Sequence, residues 1–186
     1  DGGTVRLSCG WLQEARHSPS PNFNERPEGC EISLLVIHNI SLPPGEFGGS
    51  WIDDLFHNRL DPDAHPYFSE IEGLEVSAHC LIRRDGEIIQ YVSFDKRAWH
   101  AGHSSYCGID NCNDFSIGIE LEGTDEDPFT DAQYESLAAL TAAIRKSYPS
   151  ITDERVVGHS DIAPGRKTDP GFAFDWDRYR KLAGLC

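Results

Sequence analysis

Phe115-Ser116-Ile117-Gly118-Ile119-Glu120-Leu121-Glu122 alternates between large apolar residues and small or acidic ones. A period of two is that of a β-strand, so the pattern places Phe115, Ile117, Ile119 and Leu121 on one face and Ser116, Gly118 and Glu120 on the other. Glu120 therefore faces away from the apolar layer. Gly118 beside it offers no side chain and leaves space for a ligand, a setting in which a carboxylate can act as a general base. A solvated strand face is the alternative reading of the same pattern.

Other elements assemble around this strand. Ser33-Leu34-Leu35-Val36-Ile37-His38 is a short run of branched apolar residues, read as a buried strand ending at His38. Glu75 to Arg83 and Glu87 to Val92 flank Arg84-Asp85-Gly86, and Asp-Gly between strand-like runs predicts an antiparallel hairpin. Thr130-Asp131-Ala132-Gln133 has the form of a capping box, after which Tyr134, Leu137, Ala138, Thr141, Ile144 and Tyr148 recur at helical spacing until Pro149. Arg155-Val156-Val157 reads as a brief strand delivering His159 to the sheet edge, and Asp175 opens a last helix using Trp176, Tyr179 and Leu182. Between Ser41 and Gly73 the chain makes an excursion rich in loop residues, with a short helix starting near Ser50 and the capacity to move on binding. The sum is an α/β protein, a single domain over 1–186 with its core at about 10–185, in which helices pack a central mixed β-sheet.

Composition narrows the functional classes. At 186 residues the chain can bury roughly two-thirds of its unfolded surface and fold without disulfides or a structural metal. A net charge of -15 excludes a groove that tracks phosphates and disfavours anionic membranes. Apolar runs stay well below the roughly 20 residues of a membrane span, and Asp1 to Gly10 does not have the basic-then-apolar form of an export signal. The chain contains no Met, which leaves its true start open. The six cysteines form no CxxC pair and read as free thiols, which suits a reducing compartment, although an even count also admits a bridged, exported form. The expectation is a cytoplasmic monomer acting on a small molecule, without nucleic-acid or membrane partners.

Chemistry concentrates in Gly158-His159-Ser160-Asp161-Ile162-Ala163-Pro164-Gly165-Arg166-Lys167-Thr168-Asp169-Pro170-Gly171, where prolines and glycines bar a long helix. His38, His159 and Asp169 form a set of two imidazoles and one carboxylate suited to a catalytic zinc, yet the spacing does not pick this triad from eight histidines. A strand-end hydrogen bond for His38 and an Asx turn before Pro170 for Asp169 explain them equally well. Lys167, two residues before Asp169, can aim its ammonium at a developing oxyanion or make a surface ion pair. His100 and His103 read as ordinary loop histidines, with His100 also able to supply a polar contact. Trp99, Tyr67 and Phe47 offer aromatic faces for a sugar ring or anchors for their own loops.

Taken together, Leu35-Val36-Ile37-His38-Asn39-Ile40-Ser41-Leu42-Pro43-Pro44-Gly45, Val76-Ser77-Ala78-His79, Arg97-Ala98-Trp99-His100-Ala101-Gly102, Ile117 to Asp125 and the segment from Gly158 resemble the AmpD-type N-acetyl-anhydromuramyl-L-alanine amidases. The resemblance runs from Gly10 to Tyr179 with five motifs in order. It implies the fold shared by phage lysozyme-type amidases and peptidoglycan recognition proteins, and cleavage of the bond between lactyl-muramic acid and L-alanine in a recycled wall fragment. It further implies one Zn2+ per chain on His38, His159 and Asp169, catalytic Glu120 and Lys167, and muramyl contacts at Asn39 and Trp99. Ser160 stands where relatives often have Cys, and Glu75 where some have a basic residue. The competing expectations are a peptidoglycan-binding module without activity and an exported amidase of intact wall.

Overall fold

The computed structural model describes residues 5–186, so the first four residues of the N-terminal stretch read above lie outside it. Its centre is a six-stranded mixed sheet of β1 (Arg16–His17), β2 (Leu34–Ile40), β3 (Cys80–Ile82), β4 (Ile88–Gln90), β5 (Ser116–Glu122) and β6 (Val156–Gly158), ordered β6-β2-β5-β3-β4-β1. β5 runs parallel to both of its neighbours, β2 and β3, while β3 and β4 pair antiparallel through the Asp-Gly turn. A strand paired on both sides and covered on both faces cannot leave polar residues in water. All seven residues of β5 are buried, Glu120 and Glu122 included, which excludes the solvated-face reading.

One face of the sheet carries the main core. Leu35, Ile37, Ile117, Ile119 and Leu121 pack there against α3 (Asp131–Ser147) and α5 (Trp176–Ala183). The box at the start of α3 forms in full: Thr130 Oγ1 accepts from the Gln133 amide and Gln133 Oε1 from the Thr130 amide, each at 3.1 Å. The Gln133 side chain also donates to the carbonyls of Ile82 and Glu122, which ties the helix entry to two strand ends. Asp175 caps α5 by accepting from the Arg178 amide, and Tyr179 is wholly buried while Leu182 stays exposed.

The opposite face holds two separate apolar clusters. Leu42, Ile52, Leu55, Phe56 and Phe68, from the 41–73 excursion with α1 (Trp51–Phe56) and α2 (Pro66–Glu70), cover Leu81 and Ile89. Leu34, Val36, Ala101, Cys112, Phe115 and Ile162, the last on α4 (His159–Ile162), form the other. Phe115 thus corrects the alternation read from sequence. It precedes β5, at the end of a 3-10 turn with ψ near 12°, and its ring joins the face opposite Ile117. The polar side chains of β2 and β5 lie between these two clusters. All six cysteines are free, and no helix among the described residues is long and apolar enough to cross a membrane.

Candidate metal centre and active-site cleft

His38 and Glu120 occupy the same register on the parallel strands β2 and β5, so their side chains rise side by side from the sheet. His159 arrives from the end of β6, one strand further out, where Gly158 ends the strand and α4 begins. The loop from α4 then returns to bring Asp169 back over both imidazoles, with the Ser160 amide donating to the Asp169 carbonyl at 3.0 Å. Three segments remote in sequence thereby converge.

The donor atoms of His38, His159 and Asp169 lie within 4.8 Å of one another. Asp169 Oδ2 is 3.0 Å from His38 Nδ1 and 3.2 Å from His159 Nδ1. Two donors on a tetrahedral zinc, each about 2.0–2.1 Å from the ion, stand roughly 3.3–3.4 Å apart, so the set suits zinc in its chemistry and the two Asp169 separations are close to that spacing. Burial holds the His38 imidazole below its ordinary pKa despite the bond to Asp169, and the neutral form is the one that binds metal. Burial alone would raise the Asp169 carboxyl, but its hydrogen bonds with His159 and His38 prevail and hold it well below the usual carboxylate range.

Glu120 is held differently. Burial first, and then the charge of Asp169, push its carboxyl well above the ordinary range, with Lys167 opposing them. Its Oε1 is buried with no hydrogen-bond partner among the described residues. An unpaired buried carboxylate oxygen is costly, and one aimed at a ligand site is a group waiting for a proton-bearing partner. Lys167 stands on the loop two residues before Asp169, and its ammonium is in none of the ion pairs formed among the described residues. All five residues line a cleft of about 780 Å3 that is also walled by Leu42, Leu55 and Phe56 of the excursion, a volume suited to a small-molecule ligand.

Trp99 also lines this cleft, with its indole nitrogen donating to Asn24 at 3.2 Å, as does Tyr67 from α2 of the excursion. Phe47 is not among the lining residues; its ring takes the Arg84 guanidinium at 4.6 Å. Asn39 lines the cleft but spends its amide hydrogens on Asp125 Oδ1 and the Pro170 carbonyl, bracing the loop behind Asp169 and leaving Oδ1 for a ligand. His100 was missed as a functional residue by the loop reading of its segment. It is half-buried, with Nδ1 2.9 Å from His38 Nε2 and Nε2 3.0 Å from Ser116 Oγ. The space left by Gly118 is also filled by His100 rather than by a ligand: a Cβ there would stand 2.4 Å from His100 Cγ. Arg166 and Asp161, charged but unassigned in the sequence, hold the loop. Arg166 donates to the carbonyls of Ala101 and His103, and Asp161 accepts from the Gly158 amide.

An imidazole-imidazole-carboxylate set beside a buried glutamate at the ends of parallel strands has the chemistry that a metal-dependent hydrolase requires. The chain belongs to the N-acetylmuramoyl-L-alanine amidase family, whose model matches residues 28–172. The AmpD 1,6-anhydro-N-acetylmuramyl-L-alanine amidase of Escherichia coli K12 is 65% identical over 176 residues, covering 95% of this chain and 96% of that protein. A crystal structure of a selenomethionine AmpD derivative superposes with a TM-score of 0.92 at 65% identity, over 95% of this chain and 98% of the other. AmpDh3 of Pseudomonas aeruginosa, solved in complex with anhydromuramic pentapeptide, is 30% identical with a TM-score of 0.60 and covers 84% of this chain and 61% of its own.

Proposed function

We propose that this chain is a zinc-dependent amidase that hydrolyses the amide bond between 1,6-anhydro-N-acetylmuramic acid and L-alanine in muropeptides released during cell-wall recycling. The observation that carries this reading is the convergence of His38, His159 and Asp169 beside the unpartnered Glu120 oxygen in one cleft. The protein works as a single domain and as a monomer, in the cytoplasm, where its six free thiols are compatible with the redox poise.

His38, His159 and Asp169 would hold one zinc. Zinc bound by such a set polarises a carbonyl and acidifies water toward a pKa of about 7. Glu120 takes a proton from the attacking water through Oε1 and passes it to the alanine nitrogen, so that the water oxygen bonds to the lactyl carbonyl carbon as the carbon-nitrogen bond breaks. Lys167 faces the oxygen on which negative charge grows and stabilises the transition state more than the ground state. Trp99 supplies an aromatic face and Asn39 a carbonyl oxygen for the muramyl part. The products are a lactyl carboxylate and a peptide with a free alanine amine.

The test is digestion of soluble anhydromuropeptide beside intact sacculi, with products weighed by mass spectrometry, for the parent chain and Glu120→Gln. The expected result is release of peptide from the soluble substrate, lost in Glu120→Gln with one zinc per chain retained. Preference for sacculi would move the protein to the wall, and zinc binding without peptide release would make it a binding module.

A further inference from the structure

Each histidine of the metal set has a second ring nitrogen, and both of those nitrogens end on one short segment. His159 Nε2 is 2.9 Å from the Ala101 carbonyl. A carbonyl only accepts, so a metal-binding His159 would carry its proton on Nε2 and give its Nδ1 lone pair to the ion in place of the hydrogen bond to Asp169. His38 Nε2 is 2.9 Å from His100 Nδ1. For His38 Nδ1 to ligate, Nε2 must hold the proton and donate it to His100, whose own Nε2–H then faces Ser116 Oγ at 3.0 Å. The tautomers of both ligands are thus written by residues 100 and 101.

That segment is fixed in turn by one side chain. The Asn113 carbonyl oxygen accepts from the amides of His100, at 3.1 Å, and Ala101, at 2.8 Å. Asn113 is buried in the 3-10 turn that leads into β5, and Arg26 donates to its backbone carbonyl at 3.1 Å. We infer that Asn113 is a positioning residue for the metal site, clamping the His100–Ala101 peptide so that His38 and His159 are oriented together. This rests on the zinc reading above. Neither the charge pattern nor the ligand spacing marks Asn113, which touches neither ligand nor cleft.

The experiment uses the full chain and measures zinc Kd by chelator competition, with the visible spectrum of the Co2+ form as a report on ligand geometry. Asn113→Ala is expected to weaken zinc roughly 10-fold to 100-fold, the usual cost of losing an outer partner of a metal ligand, and to alter the Co2+ bands. Asn113→Asp keeps an acceptor oxygen and is expected to restore affinity and spectrum. His100→Leu and His100→Asn form a second pair, since the Asn carbonyl replaces Nδ1 as acceptor for His38, and this pair decides if Asn113→Ala does not fold. Parental Kd and spectrum in Asn113→Ala, or equal Kd in the two His100 variants, would overturn the clamp. Failure of the parent to bind one ion in a His38-dependent way would instead remove the zinc reading beneath it.

Discussion

Glu120 and His38 lie directly across from one another in the parallel pairing of the two central strands. The proposed base and a proposed ligand are therefore separated by a sheet spacing, about 4.7–4.9 Å between backbones, rather than by loop conformation. The two other candidate groups, Asp169 and Lys167, come from a loop that must be held against this fixed pair. This division between strand-borne and loop-borne groups sets what each substitution should do.

Replacing Lys167 by alanine removes an ammonium that is not needed for any ion pair among the described residues. Turnover on anhydromuropeptide should fall roughly 100-fold to 1,000-fold, as for loss of one oxyanion donor. Zinc content should be unchanged. Steady-state kinetics with metal analysis checks both, and a near-normal rate would take Lys167 out of the reaction.

Gly118→Ala tests the packing of His100. Its new methyl would fall 2.4 Å from His100 Cγ and 2.5 Å from Nδ1, so the ring must leave its place beside His38. Zinc affinity should drop by about 10-fold or more, as when a ligand loses its outer hydrogen bond. Titration with a chelator reads this directly, while far-UV circular dichroism should still report the parental sheet.

His79 gives the fold a pH dependence of its own. Burial, with a smaller push from Arg26, lowers its pKa to about 3, and the ring is neutral between the Gly118 amide and the Lys96 carbonyl. The unfolded chain binds this proton near pH 6.5 and the folded chain does not, so stability is full above that value and declines as pH falls toward 3. Within the window this group contributes a slope of about 1.4 kcal/mol per pH unit. Urea unfolding across the range should show a slope shallower by one proton in His79→Gln.

Thr141 Oγ1 and the Tyr179 hydroxyl meet at 2.7 Å between α3 and α5, both wholly buried. Thr141→Val keeps the shape but strands the tyrosine hydroxyl, at an expected cost of about 1–3 kcal/mol. Tyr179→Phe should cost less, since the threonine hydroxyl can turn to a carbonyl of its own helix. Denaturant midpoints of the two variants settle the order.

Much of this architecture could be read from local pattern because local physics decides it. The Asp-Gly turn, the Thr130 box and the brief strand before His159 are each specified by adjacent residues, and each stands where the pattern puts it. Phe115 shows where periodicity fails: the alternation continues through it, but a 3-10 turn shifts the backbone phase before the strand begins. His100 was obscured for another reason. Its segment has loop composition, and only the packing of β5 against that loop reveals that the ring sits beside His38. Arg166 and Asp161 acquire their tasks through backbone carbonyls and amides, which leave no trace in side-chain pattern.

Gln133 carries a consequence for how this molecule can come apart. Its carbonyl oxygen serves the Thr130 amide, its two amide hydrogens serve Ile82 and Glu122, and its backbone amide serves Thr130 Oγ1. No common substitution keeps one acceptor and two donors at that reach; glutamate would turn both donors into repulsion against carbonyls. The first turn of the long helix and the far ends of β3 and β5 are thus pinned as one joint, two residues beyond Glu120. Fraying of those two strand ends and loss of the helix start are a single event, and the end of β5 beyond Glu120 is stiffened from the helix side of the sheet.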